Sequence, residues 1–249
     1  YEKFDKDDSI RKQQINAREL CAMFMKERAN TGRIYLQNVD HCNTHGAFDP
    51  SQAPIKQSNL CMEITLPTKP LYSVQDKEGE VALCTLSAVN LGAIDSLDEL
   101  EDITDIIVRS LDSLLDYQDY PLKSAEITSS NRRTLGIGVT NLAYYLAKND
   151  AKYSDGSGND LIHRTFEALQ YFSLKASNEI AQEFGPCPLF SETQYAKGVM
   201  PIDSYKKDID QFCNTELELD WDSLRKNIQA TGLRNSTLTA LMPCESSSQ

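Results

Sequence analysis

Asn59, Cys61 and Glu63 occur at alternate positions within Ser58-Asn-Leu-Cys-Met-Glu-Ile-Thr-Leu66. In a β-strand, residues i, i+2 and i+4 share a face at about 6.6–6.8 Å per step. The pattern predicts a strand over 58–66 with an amide, a thiol and a carboxylate in a row. Leu60, Met62, Ile64 and Leu66 would form the opposite, aliphatic face and pack on a layer. A carboxylate accepts protons, a thiol is redox-active, and an amide both donates and accepts hydrogen bonds. Three such groups on one face look into a pocket or into water. The plain alternative is an edge strand with a polar solvent face. A free cysteine is less expected there, because free thiols are usually buried.

Cys84 lies 23 residues beyond Cys61, in Val81-Ala-Leu-Cys-Thr-Leu86. This segment reads as a second strand, apolar on both sides. If the two strands are neighbours their thiols approach; otherwise Cys84 is an ordinary core cysteine. Pro243-Cys-Glu-Ser-Ser-Ser follows a predicted strand and reads as the start of a helix, where unpaired N–H groups suit phosphate. A plain serine N-cap is the alternative, and the segment lacks the pattern of a P-loop. Gly136-Ile-Gly138 lacks the third glycine of a dinucleotide fingerprint and reads as close backbone packing. His41, Cys42 and His45 could hold a metal but find no fourth ligand at zinc-like spacing, so no metal site is expected.

The elements that must position these groups alternate in type. Residues 10–30 predict a helix with Ala17, Leu20, Cys21 and Phe24 as its apolar stripe and Gly32 as its C-cap. A short strand over 33–37 and a loop over 40–57 follow. A helix over 97–118 would turn Leu100, Ile103, Ile107, Leu111 and Leu114 inward, with Pro121 beyond its end. A strand over 135–139 leads to a helix near 140–148. Asn159 would cap a helix to about 184, stopped by Gly185-Pro186, with Leu161, Thr165, Leu169, Phe172, Ala176 and Ile180 inward. Ser191-Glu-Thr-Gln194 matches a capping box before a short helix. A helix around Trp221, Leu224, Arg225 and Ile228 ends at Gly232, and a last strand covers 236–242. Strands alternating with helices imply an α/β core with helices outside and no internal boundary.

The 249 residues are 40% apolar and 25% charged, which excludes disorder and collagen-like repeats. No stretch approaches the roughly 18 apolar residues of a membrane span, and no signal segment opens the chain. The charge sum, 25 − 37 = −12, argues against generic nucleic-acid binding and leaves any anion site to directed backbone N–H groups. Seven cysteines without a C-x-x-C pair read as an intracellular, mostly reduced set. The chain begins at Tyr1 and stops where a helix should begin. It therefore reads as an internal piece, truncated at both ends.

The sequence resembles the large (alpha, catalytic) subunit of class I ribonucleotide reductases, the aerobic ribonucleoside-diphosphate reductases, and most of all their bacterial and T4-type phage branch. The resemblance runs along Gly32-Arg-Ile-Tyr-Leu-Gln-Asn-Val-Asp-His-Cys-Asn-Thr-His45, Ser58 to Pro67, Ala82-Leu-Cys-Thr-Leu-Ser-Ala88 and Asn90-Leu-Gly92. It continues through Asp116-Tyr-Gln-Asp-Tyr-Pro121, Arg132-Arg-Thr-Leu-Gly-Ile-Gly138, Leu233-Arg-Asn-Ser-Thr-Leu238 and Met242-Pro-Cys-Glu-Ser-Ser-Ser-Gln249.

The resemblance implies the central part of a ten-stranded α/β barrel, with residues 1–249 a partial catalytic domain. Cys61 would match the cysteine that becomes a thiyl radical and takes the ribose 3′ hydrogen. Glu63 would match the base for the 3′-OH proton, and Asn59 the amide that orients the ribose hydroxyls. Cys84 would match one of two cysteines that supply electrons and become a disulfide. Asn59, Leu60, Cys61, Met62 and Glu63 would line the substrate, and Pro243, Cys244, Glu245, Ser246 and Ser247 would cradle its diphosphate. Cys244 stands where many relatives have Ser or Thr.

The resemblance also implies partners: a small radical-generating subunit, a second large subunit, thioredoxin or glutaredoxin as reductant, and ribonucleoside diphosphates, but no nucleic acid or membrane. No cofactor would be bound in this segment. A di-iron or di-manganese tyrosyl radical would reside in the small subunit, and ATP- and dATP-type effectors would bind elsewhere. The setting would be cytoplasmic. The partner of Cys84, the relay tyrosines and the tail cysteine pair would lie outside residues 1–249, so the isolated chain is expected to be inactive. Two alternatives are an adenosylcobalamin-dependent reductase and a non-catalytic half of a split polypeptide.

Overall fold

The computed structural model describes residues 2–214 and 216–245 and divides into two compact units, 1–37 and 38–249. The first unit carries a single helical turn, α1 (Glu2–Asp5), and the helix α2 (Ala17–Thr31). The Asn16 side chain accepts the Arg18 N–H at 3.0 Å and starts α2; Gly32 ends it at φ 64°. The cap was legible in the sequence, because only glycine enters the left-handed region without strain. The inward stripe was not: no residue of α2 is buried. Residues 33–37 form no strand.

In the second unit, α3 (Val39–His45) occupies part of the expected loop. The sheet is parallel. β1 (Thr85–Asn90) pairs with β2 (Leu135–Thr140), Thr85 opposite Leu135 and Leu86 opposite Gly136. On the other side of β2 runs the stretch 237–240. Leu135 and Ile137 N–H groups donate to Thr237 and Leu238 carbonyls at 3.1 and 2.7 Å, and Ala240 N–H returns to Ile137 O at 3.0 Å. β2 is therefore central, and the expected last strand is reduced to this stretch and a bridge at Ile137–Thr239. The second predicted strand is displaced: β1 begins at Thr85, so Cys84 lies just outside it.

The two faces of β2 differ. Leu135 and Ile137 are wholly buried and join the main core. That core is built by α4 (Glu99–Tyr117), α6 (Leu142–Lys148), α7 (Asn159–Phe184) and α9 (Trp221–Thr231). Gly136 and Gly138 turn toward a smaller cluster of Phe48, Ala53, Ile55, Ile64, Leu66 and Ala240. In α4 the buried stripe is Leu100, Thr104, Val108, Leu111, Asp112 and Leu115, while Leu114 is exposed, a rotation of about one residue from the expected face. Gly158, not Asn159, precedes α7, whose inward Thr165, Leu169, Ala176 and Ile180 are as expected. Phe190–Glu192 and Tyr195–Lys197 are 3₁₀ turns, so the capping box does not form; Thr193 Oγ1 donates to Phe190 O instead. A single turn, α8 (Pro201–Ser204), follows.

α5 (Lys123–Arg132) was not legible, because its buried face is Ser124, Ala125, Thr128, Ser129 and Arg132, not a leucine stripe. It delivers two buried arginines. Arg132 reaches Glu80 and Glu192, both at 2.8 Å, and lies over the Phe48 ring. Arg133 caps α5 in the left-handed region and reaches Asp112 at 2.6 Å. The class is mixed α/β, as expected, and among the described residues the sheet is not closed into a barrel.

Candidate active site

The segment 58–66 is a reversing turn, not a strand. Met62 N–H donates to Asn59 O at 3.3 Å, and Asn59 N–H points at Ile64 O at 3.5 Å. Met62 sits at φ 63°, the left-handed position a tight turn demands and a side chain tolerates at a cost. The alternation survives only on one arm: Ile64 and Leu66 are buried, whereas Leu60 is 81% exposed. Periodicity of two describes such an arm as well as a strand, which is why the sequence misled.

The turn places the three groups differently from a strand. Asn59 Oδ1 accepts Ser58 Oγ at 3.3 Å and faces Ile64 N–H at 3.5 Å, so the amide carbonyl braces the turn and its N–H₂ remains available. Cys61 is exposed at the tip. Glu63 folds back, and its Oε2 is buried without a hydrogen-bond partner. It lines a cavity of about 400 Å³ with Phe166, Gln170, Thr239 and Ala240 among its walls. Thr239 Oγ1 donates to Gln170 at 2.7 Å across it.

Cys84 is brought to Glu63. Burial, and then the Glu63 carboxylate, push its thiol up to about 11. Such a thiol stays protonated at neutral pH and is a poor spontaneous nucleophile. Its sulfur lies over Gly136. Thr134 Oγ1 donates to Leu83 O at 2.7 Å and fixes the backbone just before it. Gly136 was legible as a close-packing glycine; that its packing partner is Cys84, 52 residues earlier, was not.

Pro243 and Glu245 are exposed, and Cys244 is half-buried. The Cys244 Sγ lies 3.1 Å from Val139 O and 3.0 Å from Met242 O, which ties the loop to the end of β2. Ser246 and Ser247, and the helix start expected there, lie outside the described residues. None of the seven cysteines is in a disulfide. Among the described residues no group of three or more His, Cys, Asp or Glu is placed to hold a metal ion, and no helix is long and apolar enough to cross a membrane. His41 and His45 pack edge to face, 5.9 Å apart.

A parallel α/β sheet thus presents thiols and a carboxylate on its glycine-bearing face. The family described as "Ribonucleotide reductase, barrel domain" matches residues 1–249, and the chain belongs to it. It is 64% identical over 249 residues to the ribonucleoside-diphosphate reductase subunit alpha of Haemophilus influenzae and 64% identical to the ribonucleoside-diphosphate reductase 1 subunit alpha of Escherichia coli. It is 48% identical over 251 aligned positions to the corresponding subunit of Enterobacteria phage T4. Each match covers all of this chain and about a third of the relative, 33%, 33% and 32%.

Proposed function

We propose that the chain carries the reducing chemistry of a class I ribonucleoside-diphosphate reductase. Cys61, as a thiyl radical, takes the 3′ hydrogen of the ribose. Glu63 accepts the 3′-OH proton, and the Asn59 amide orients the hydroxyls. The 2′-OH leaves as water after gaining a proton. Two electrons and two protons come from Cys84 and a second thiol, which become a disulfide. Cys61 finally returns its hydrogen to C3′. The balance is one ribonucleotide and two thiols giving one deoxyribonucleotide, one disulfide and water. A thioredoxin- or glutaredoxin-type dithiol would reduce that disulfide. The radical would come from a tyrosyl cofactor with a di-iron or di-manganese centre in a small subunit, in an assembly with a second large subunit in the cytoplasm.

The observation that carries this reading is Glu63. A buried carboxylate oxygen without a donor is costly, and such groups call for an explanation. A ligand hydroxyl would supply the donor, beside a thiol held protonated and ready to give hydrogen. Gly136, under Cys84, and Val139, at Cys244, are three residues apart on β2, about 10 Å of strand. That length accommodates a sugar at one end and a diphosphate at the other, cradled by Pro243, Cys244, Glu245, Ser246 and Ser247. Leu60 and Met62 would contact the substrate from the turn.

Cys61→Ser in the complete reductase subunit tests the reading. A hydroxyl O–H is too strong a bond to relay the radical, so reduction of CDP should vanish while nucleotide binding persists. Deoxynucleotide formation above background by that variant would overturn it.

A further inference from the structure

We infer that Gly136 is a positioning residue for Cys84, its bare backbone setting where the thiol sulfur rests. The inference rests on reading Cys84 as a redox thiol. Gly136 has no left-handed φ, so its conformation does not require glycine. The space does. A Cβ added there would fall 2.6 Å from Leu86 Cδ2, 3.1 Å from Ala240 Cβ and 3.1 Å from Cys84 Sγ. These neighbours differ in how they can yield.

Leu86 Cδ2 is the end of a flexible, partly exposed side chain and swings away cheaply. Ala240 Cβ is carried by a backbone that donates to Ile137 O at 3.0 Å, two residues after Leu238 accepts Ile137 N–H at 2.7 Å. It moves only with the sheet. The Cys84 backbone is also held, by the Thr134 hydroxyl on Leu83 O and by Thr85 in register with Leu135. Its sulfur is not: one rotation about χ1 relocates it. A methyl at position 136 is therefore absorbed largely by displacement of the thiol. Disulfide formation requires S–S near 2.03–2.05 Å and a dihedral near ±85–100°, so a small displacement matters. Gly136 and Ala240 together form two small walls of the socket, and Glu63, which lines a cavity with Ala240, acts electrostatically on the same thiol.

The test uses the complete subunit with its small subunit, an effector nucleotide and thioredoxin. Gly136→Ala should lower kcat for CDP about 10-fold or more, with KM little changed, because misplacing a reacting atom by a fraction of an ångström forfeits alignment. The disulfide formed in a single turnover, counted by alkylation and mass spectrometry, should fall in parallel. Gly136→Ala/Leu86→Ala separates the two movable neighbours. Persistence of the defect supports the inference, and full recovery overturns it by assigning the effect to Leu86. Should Gly136→Ala fail to fold, Ala240→Gly widens the same socket. Iodoacetamide should then label Cys84 faster while Cys187 stays unchanged; an unaltered Cys84 rate overturns the inference. Cys84→Ser keeps the two readings apart. If it still turns over repeatedly, the redox assignment fails; if it is blocked while Gly136→Ala is normal, only the positioning role fails.

Discussion

Asp112 receives Arg133 on Oδ1 at 2.6 Å and Arg234 on Oδ2 at 3.2 Å, and Oδ1 also accepts Asn235 Nδ2 at 3.0 Å. One buried carboxylate on α4 thus fixes the two chain segments that run on into β2 and into 237–240. β2 and its neighbour 237–240 both start from this point, so their mutual register around Gly136 is set at Asp112.

Removing that carboxylate should therefore be severe. Asp112→Ala leaves two arginines without their buried partner and should cost about 3–5 kcal/mol, read from urea unfolding. Asp116, 60% exposed, also meets Arg133 at 2.8 Å. Its loss should cost about 1 kcal/mol or less, because water screens it. Equal effects of the two substitutions would contradict this ranking.

Glu63→Gln in the complete reductase keeps the shape and removes the proposed base, so turnover should fall by about 10²-fold or more. Asn59→Ala should reduce kcat more than it weakens binding, with a further loss of stability because the amide carbonyl braces the turn. A change confined to KM in either variant would contradict the proposed roles.

If Cys84 supplies electrons as proposed, Cys84→Ser should permit no more than residual turnover with thioredoxin as reductant, because no disulfide forms and no electron pair reaches the sugar. Steady multiple turnover, followed by deoxynucleotide formation over time, would contradict it.

Alkaline pH should weaken the fold through two thiols. Burial raises Cys84 to about 11 and Cys187 to about 12, from an ordinary 9.0. Below pH 9 both thiols are neutral whether folded or unfolded, and their contribution is fully present. Above it the unfolded chain releases protons that the folded chain retains, so stability falls between pH 9 and about 11–12. Urea midpoints at pH 8 and pH 10 measure this. Cys84→Ala and Cys187→Ala should each flatten the slope, and an unchanged slope in both would contradict the assignment. Alkylation at pH 8 should reach exposed Cys21 and Cys61 before either.

Legibility followed the strength of local signals. α4, α7, α9 and β2 were evident because long apolar periodicities, Gly232 and Pro121 mark them. α5 was not, because serines, threonines and an arginine fill its inner face and are paid for by partners distant in sequence, such as Glu80 for Arg132. The site residues are legible from their types and from family resemblance, but their geometry is not: alternation at 58–66 implies a wall, while a left-handed Met62 makes a tip. Thr134, Gln170 and Thr239 give no local signal, and Gly136 signals close packing without its partner, since each acts across 50 or more residues on Leu83, Cys84 or one another.

β2 lies between two partners made at very different times. Its bridge at Ile137 to Thr239 spans 239 − 137 = 102 residues, against 50 for Leu86 to Gly136. At about 5–20 residues per second on the ribosome, one edge of β2 waits about 5–20 s for its neighbour. During that interval the glycine face is bare and the Cys84 sulfur lacks the Ala240 wall. The nascent chain therefore passes through a period in which this thiol is open to oxidants and chaperones and the strand edge to wrong pairing. Synonymous codon changes that slow elongation between residues 140 and 237 should lengthen it, and should raise the fraction of newly made chains trapped as aggregates or mixed disulfides.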